Sequence, residues 1–189
     1  MSMIALDIDG AWLYTSKVHN DERGNFREWF KLSEISSLAG INFKVAQANT
    51  SQSKRGVIRG IHYSLAPEGQ AKWITCTSGE IRDVIVDIRR GSPTYGKSVV
   101  INLSANSGDA ILLGAGLGHG FSAMEEGTTV VYLVSSEYSP QHEFSINPLD
   151  SDLKIDWGFT SSEIQMSPSD SAAPSFRQRA DSGLLPSIS

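Results

Sequence analysis

The feature that most restricts how this chain can fold is a succession of short β-branched and aliphatic runs, each closed by a turn signal. Ala71 to Thr77 and Ile81 to Ile88 flank Ser78-Gly79-Glu80, a pattern that predicts a β-hairpin. Ser98 to Leu103 is a further run. Ala110 to Leu113 follows the turn Asn106-Ser107-Gly108-Asp109, and Thr128 to Ser135 follows Glu125-Glu126-Gly127. Gly91-Ser92-Pro93-Thr94-Tyr95-Gly96 reads as a loop. Only Leu32 to Leu38 reads as a helix. Many short strands with turns between them predict an all-β barrel or sandwich. With 189 residues and no interior linker, the whole chain suits one domain. From Ser161 onward it is rich in serine, with Pro168, Pro174 and Pro186. Such a stretch is either an irregular tail or a segment that wraps the core, and composition favours the tail.

Charge and cysteine usage narrow the function. A net charge of −5 argues against broad nucleic-acid binding, although a few local cations suffice for one small anion. Cys76 is the single cysteine, so an intrachain disulfide and a cysteine-built zinc site are excluded. The segment Met1-Ser2-Met3-Ile4-Ala5-Leu6-Asp7-Ile8-Asp9 has no basic region and no long apolar run. Neither a signal peptide nor a membrane span is expected, and a cytoplasmic location follows.

Several residues carry candidate chemistry. Arg59 and His62 have opposite strand parity, but Gly60 between them predicts a bulge that turns both to one side. Together they could hold an anion and move a proton; the plainer alternative is an exposed Arg beside a half-buried His. Phe43, Val45, Gln47 and Asn49 share one strand face, which changes from apolar to amide. It either leads to the polar mouth of a barrel or runs into a solvated loop. Tyr132, between Val130 and Val134, either packs in the core or reaches a cavity with its hydroxyl. Gly114-Ala115-Gly116-Leu117-Gly118-His119-Gly120-Phe121 allows a tight backbone path, and a phosphate loop is one reading. His19, His62, His119 and His142 share no metal-ligand spacing, so no metal is expected. Asp7-Ile8-Asp9-Gly10 after an apolar strand resembles the nucleophile motif of haloacid-dehalogenase-type phosphatases. That fold needs parallel strands and crossover helices, which the following chain lacks.

An ordered set of motifs resembles the dTDP-4-dehydrorhamnose 3,5-epimerase family. The set starts with Asp21-x-Arg23-Gly24-x-Phe26-x-Glu28, Gln47-x-Asn49-x-Ser51 and Gly56-Val57-Ile58-Arg59-Gly60-Ile61-His62-Tyr63. It continues with Gln70-Ala71-Lys72, Gly79-x-Ile81-x-Asp83-Val84-x-Val86-Asp87-Ile88-Arg89 and Gly91-Ser92-Pro93-Thr94-Tyr95-Gly96. Gly116-x-x-His119-Gly120-Phe121, Tyr132, Glu137-Tyr138-x-Pro140-x-x-Glu143 and Ile155-x-Trp157 complete it.

The resemblance implies a cupin-type jelly-roll β-barrel with short peripheral helices. Its core would span about residues 40–140, wrapped by N-terminal strands and by the C-terminal segment. It implies a homodimer without metal or organic cofactor. It also implies proton exchange at C3 and C5 of a dTDP-linked 4-keto-6-deoxyhexose, with a single-centre epimerase or a non-catalytic sugar-nucleotide-binding cupin as alternatives. Both carbons flank the C4 ketone, so loss of either proton gives a delocalised enolate without redox chemistry. By matching position His62 is the base, Tyr132 the acid on the opposite ring face, and Asp170 the partner that orients His62. Lys72 would stabilise the enolate oxygen. Arg59 and Arg23 would hold the diphosphate, Arg23 and Glu28 reaching a neighbouring subunit's site, with Phe26 in the same motif. Gln47, Asn49, His119, Tyr138 and Glu143 follow as substrate contacts. Two positions depart from the family: Gly114 replaces a common Pro, and Ser169 replaces a common basic residue beside the dyad Asp. The second puts nucleotide preference in question.

Overall fold

The computed structural model describes residues 2–40, 43–67 and 69–188, and of Leu38 only the backbone. Met1 lies outside the described residues. The strands run in chain order as β1 (Ser2–Ala5), β2 (Ala11–Thr15), β3 (Val18–Asp21), β4 (Gly24–Arg27) and, after a helix, β5 (Gln47–Ser53). There follow β6 (Ile58–Ser64), β7 (Lys72–Ser78), β8 (Glu80–Asp87), β9 (Ser98–Ser104) and β10 (Ala110–Leu113). The last are β11 (Leu117–Ala123), β12 (Thr128–Val134) and β13 (Glu143–Ser145). The helices are short: α1 (Leu32–Ala39), α2 (Pro168–Ser171) and α3 (Phe176–Asp181).

Two antiparallel sheets face each other. One has the order β1-β2-β10-β7-β12-β5, the other β13-β6-β11-β8-β9, and β3 and β4 form a separate ribbon. From β5 to β13 the chain changes sheet at every connection except β8 to β9. This is a jelly roll of the cupin type.

The alternation overturns the hairpin expected at Ala71 to Ile88. β7 lies between β10 and β12, whereas β8 lies between β11 and β9 in the other sheet. The turn signal is real, but it makes a corner between sheets. Gly79 has φ +73°, and a Cβ there would come within 2.5 Å of Thr128 Oγ1. Sequence patterning reports that the chain bends, and the next strand's partners decide where it goes.

Each sheet is covered on both faces, which accounts for the nearly unbroken apolar runs of β7, β8 and β10. Between the sheets, Ile74, Cys76 and Val130 meet Ile81, Ile85 and Phe121. Outside the six-stranded sheet, Tyr14, Trp73 and Leu112 pack with Ile35 of α1 and with Phe43. Outside the five-stranded sheet, Ile58, Tyr63 and Val86 pack under Ile146, Trp157 and Leu185.

The C-terminal segment is therefore part of the fold, against what its composition suggests. Gln165 exchanges backbone hydrogen bonds with Gly56 and Ile58 at 2.9 Å each. The Tyr63 hydroxyl donates to Leu184 O at 2.7 Å, and Trp157 Nε1 donates to Pro148 O at 2.8 Å. The serines cap as well as solubilise: Ser175 and Gln178 form a capping box on α3.

The face read as Phe43-Val45-Gln47-Asn49 also needs correction. β5 begins only at Gln47, Val45 is 46% exposed, and Phe43 packs in a different cluster. Among the described residues before Ala46 none has a ladder partner on β12, so strand parity does not extend there.

Candidate active site

Pairing brings the candidate residues together from both sheets. On β6, His62 stands opposite His119, and Arg59 opposite Phe121. Three steps on β6 thus match two on β11, which is the expected bulge. Gly60 occupies it at φ +125°, and a Cβ there would lie 2.5 Å from Gly120 Cα. With the extra residue, Arg59 and His62 line one recess despite their opposite parity.

The facing wall comes from β5 and β12. Gln47 pairs with Val134, Asn49 with Tyr132, and Ser51 with Val130. The period of two sends all six side chains to the interior, where each lines a cavity. Tyr132 is thus a cavity tyrosine. Lys72 enters from the start of β7, paired with Val134 and buried. Asp170 enters from α2: the Ser167 hydroxyl caps the helix by accepting from Asp170 N at 3.0 Å, and Pro168 occupies its first turn. Asp170 Oδ1 then meets His62 Nε2 at 2.7 Å.

These groups enclose a cavity of about 610 Å³ that includes Gln47, Asn49, Tyr138 and Glu143, and a recess of about 140 Å³ that includes Ser51, Arg59 and His119. The two spaces share His62, Lys72 and Tyr132.

The charged groups divide sharply by environment. Burial pushes the Asp170 carboxyl up, but its hydrogen bond and charge contact with His62, aided by Ser167 and the Gly60 N–H, bring it below the ordinary carboxylate value. Asp170 therefore stays ionised and accepts the Nε2–H of His62, leaving Nδ1 to take a proton. Burial lowers the Lys72 pKa, while the charges of Glu143 and Asp83 act in the opposite sense. Burial raises the Tyr132 pKa, with Arg59 opposing and Glu143 adding to the shift, so its hydroxyl remains protonated at neutral pH. Tyr132 and His62 thus offer a proton donor and an acceptor from opposite sheets, with a cation alongside.

A second carboxylate–histidine pair lies in the floor. His119 Nε2 is 2.8 Å from Asp83 Oδ2, and Asp83 is fully buried. Asp83 Oδ1, Glu143 Oε1 and Ser51 Oγ are buried without a hydrogen-bond partner among the described residues. The only sign of Asp83 in the sequence, apart from the motif, is a carboxylate inside an apolar strand. Gln70, Phe144, Ser145 and Ser169 also line the larger cavity, and Phe121 and Val130 the recess. Nothing in the local pattern around Phe144 and Ser145 marks them, because their position depends on β13 adding to the edge of β6.

Three expected residues do not reach this cavity within the chain. Arg23, on the turn between β3 and β4, is 89% exposed at its side chain and paired with Asp21 at 2.6 Å. Phe26 is 66% exposed. Glu28 lies 3.8 Å from Lys31.

The glycines around His119 belong to β11 itself: a Cβ on Gly118 would lie 2.7 Å from Ile61 Cγ2, so they serve close strand packing rather than a phosphate loop. Asp7 and Asp9 sit in the connection of the antiparallel β1–β2 hairpin, where Asp7 pairs with Lys97 at 3.4 Å. No parallel α/β frame surrounds them among the described residues. No group of three or more His, Cys, Asp or Glu converges to hold a metal among the described residues. No described helix is long and apolar enough to cross a membrane.

Known proteins resemble this chain in sequence and fold over nearly its whole length. The sequence model of the dTDP-4-dehydrorhamnose 3,5-epimerase family matches residues 5–178. The dTDP-4-dehydrorhamnose 3,5-epimerase of Mycobacterium tuberculosis is 43% identical over 182 residues, covering 96% of this chain and 90% of that one. The solved structure of the M. tuberculosis rmlC epimerase superposes with a TM-score of 0.96 at 42% identity, covering 99% of this chain and 94% of its own. A 3'-monoepimerase from Streptomyces bikiniensis, in complex with dTDP-quinovose, superposes with a TM-score of 0.91 at 42% identity, covering 96% and 91%. The jelly roll, the two-walled cavity and this likeness along the chain lead to one conclusion: the chain is an isomerase, a carbohydrate epimerase belonging to the dTDP-4-dehydrorhamnose 3,5-epimerase family.

Proposed function

We propose that this epimerase inverts C3 and C5 of dTDP-4-dehydro-6-deoxy-D-glucose, giving dTDP-4-dehydro-L-rhamnose, with His62 as base and Tyr132 as acid. The observation that carries this reading is that both side chains border the same space from opposite sheets, with Lys72 beside them. His62 Nδ1 takes a proton from a carbon next to the ketone, while Asp170 holds the ring and balances the imidazolium. The C–H electron pair moves into the enolate, whose oxygen faces the Lys72 ammonium. The cation attracts an enolate more strongly than a neutral ketone, so it favours the transition state over the ground state. Tyr132 then donates its proton from the other ring face, and the centre is inverted. No step changes oxidation state, so the chemistry needs no cofactor.

Arg59 supplies a cation to the diphosphate, its guanidinium held by Ser53 Oγ at 3.0 Å and Gln52 O at 3.1 Å. His119, Glu143, Asn49 and Tyr138 border the remainder of the ligand. The protein works as a cytoplasmic homodimer in which the exposed Arg23, Phe26 and Glu28 complete the cavity of a second copy. Mixing Arg23→Ala with His62→Ala protein tests this: subunit exchange is expected to restore activity, because one of the two mixed sites then has both groups. No recovery from mixing would overturn the shared site.

The reaction itself is tested by incubating the protein with dTDP-4-dehydro-6-deoxy-D-glucose in deuterated water and following both carbons by NMR. Deuterium at C3 and C5 is expected. Label at one carbon alone would favour the second reading, a single-centre epimerase, which the likeness to the S. bikiniensis 3'-monoepimerase keeps in view. Tight binding without any label would mean a non-catalytic sugar-nucleotide-binding cupin.

A further inference from the structure

The Asp170 carboxylate rides on the least self-supporting element of the fold. β13 covers the outer edge of β6 from Ser64 to His62, and Ile146 carries that pairing on to Ile61. Before Ile61 the same edge is taken by the C-terminal segment. Ile58 N–H donates to Gln165 O at 2.9 Å, and two residues on, Gly60 N–H donates to the Asp170 carboxylate. The carboxylate thus stands where a neighbouring strand would place a carbonyl, while its Oδ1 also meets His62 Nε2 at 2.7 Å. Its position is set by the short stretch from Gln165 to Asp170.

That stretch has little of its own to fix it. α2 is one turn long, and a single turn fixes more dihedrals than its hydrogen bonds offset. Asp170 is its third residue, so its N–H is one of those that a helix leaves unpaired at its start. Asp170 is buried, and the N–H needs a partner from the protein. The Ser167 hydroxyl accepts it at 3.0 Å. Ser167 itself is exposed and lines neither the cavity nor the recess. Alanine there leaves the Asp170 N–H unpaired, and the turn must unwind toward water to satisfy it. The carboxylate moves with the turn.

We propose that Ser167 is a positioning residue for the reaction: by capping α2 it seats the Asp170 carboxylate on His62 Nε2 and so keeps Nδ1 free to take a proton. The inference rests on the reading of His62 as base. It adds a residue that acts on that base from outside the cavity.

Steady-state kinetics and imidazole nitrogen NMR test it together. Ser167→Ala is expected to lower kcat about tenfold, the scale of a lost cap and a small misplacement beside the reacting atoms, and to leave KM unchanged. Ser167→Thr keeps the acceptor and should recover most of the rate. In an Asp170→Asn background Ser167→Ala should lower kcat no further, because the charge it positions is gone. The ring nitrogens report on the same contact without turnover. Neutral His62 should carry its proton on Nε2 in the wild type, and should be a mixture of both tautomers in Ser167→Ala. Normal kcat with an unchanged tautomer in Ser167→Ala would overturn the proposal, whatever the urea midpoint does. A loss of rate that persists in full in the Asp170→Asn background would also overturn it, since Ser167 would then act elsewhere. If Ser167→Ala misfolds, Ser167→Cys, which keeps the size but accepts weakly, serves in the same comparison. Wild-type protein that shows the Nε2–H tautomer and its dependence on Ser167, but exchanges no deuterium into the sugar, would sink the epimerase reading and leave the positioning role standing.

Discussion

At the scale of single residues, the Asp170 carboxylate decides which nitrogen of His62 is available. It is 7% exposed, lies 2.7 Å from Nε2, and is held below its ordinary pKa, so it is an ionised acceptor at neutral pH. Asp170→Asn keeps the size but removes the charge, and its amide N–H₂ can force the other tautomer. In the proposed mechanism His62 is the base, and loss of general-base function is worth about 10²–10⁴ in rate. Steady-state kinetics should therefore show kcat lower by about a hundredfold or more, with little change in KM. Unchanged kcat would reduce the pair to a structural contact. The sequence made His62 and Tyr132 visible as residues with two readings each. Neither parity nor spacing could choose between them, because the choice depends on a space bounded by strands that lie far apart in the chain.

At the scale of elements, the bulge in β6 is what makes a site out of a strand. A regular strand would send Arg59 and His62 to opposite faces. Gly60 prevents this with a φ of +125° and with an approach to Gly120 that leaves no room for a methyl group. Gly60→Ala introduces both an unfavourable backbone conformation and a clash with backbone, which cannot rotate away. Such strain is expected to cost about 1–3 kcal/mol or more, measured as a lower midpoint in urea, together with loss of activity. A folded, fully active Gly60→Ala protein would mean that β6 and β11 can slide. The glycine signal was legible as a bulge because a glycine inside a β-branched run has few other uses. The corner at Gly79 was not legible as a corner, since a tight turn looks alike whether the next strand pairs beside the last or crosses to another sheet.

At the scale of the whole molecule, the C-terminal segment closes the five-stranded sheet and delivers Asp170 to the cavity. Tyr63, fully buried on that sheet, hydrogen-bonds to the segment at Leu184. Burial raises its pKa from 10.0 to about 12, and burial raises that of Cys76 from 9.0 to about 11. Both groups hold their protons more tightly when folded. Their contribution to stability is therefore complete below the unfolded values and is lost as pH rises through the folded ones. Stability is expected to fall between about pH 9 and 12, and Tyr63→Phe should reduce the loss above pH 10 without abolishing it, because burial also raises Tyr14 to about 12 and Cys76 titrates up to about 11. Urea titrations across this range check it; an unchanged slope in Tyr63→Phe would place the alkaline weakness elsewhere. Residue types and their order along this chain determined an all-β fold, its turns and the short α1, because hydrophobic period and glycine placement act locally. Local pattern left open which sheet each strand joined, and only the tertiary structure decided it; that the serine-rich stretch wraps and that His62, Lys72, Tyr132 and Asp170 meet was implied by the family motifs alone, and the fold brings it about through contacts between segments distant in the chain. Those outcomes follow from long-range burial, in which segments with little local preference are held by the surfaces they cover.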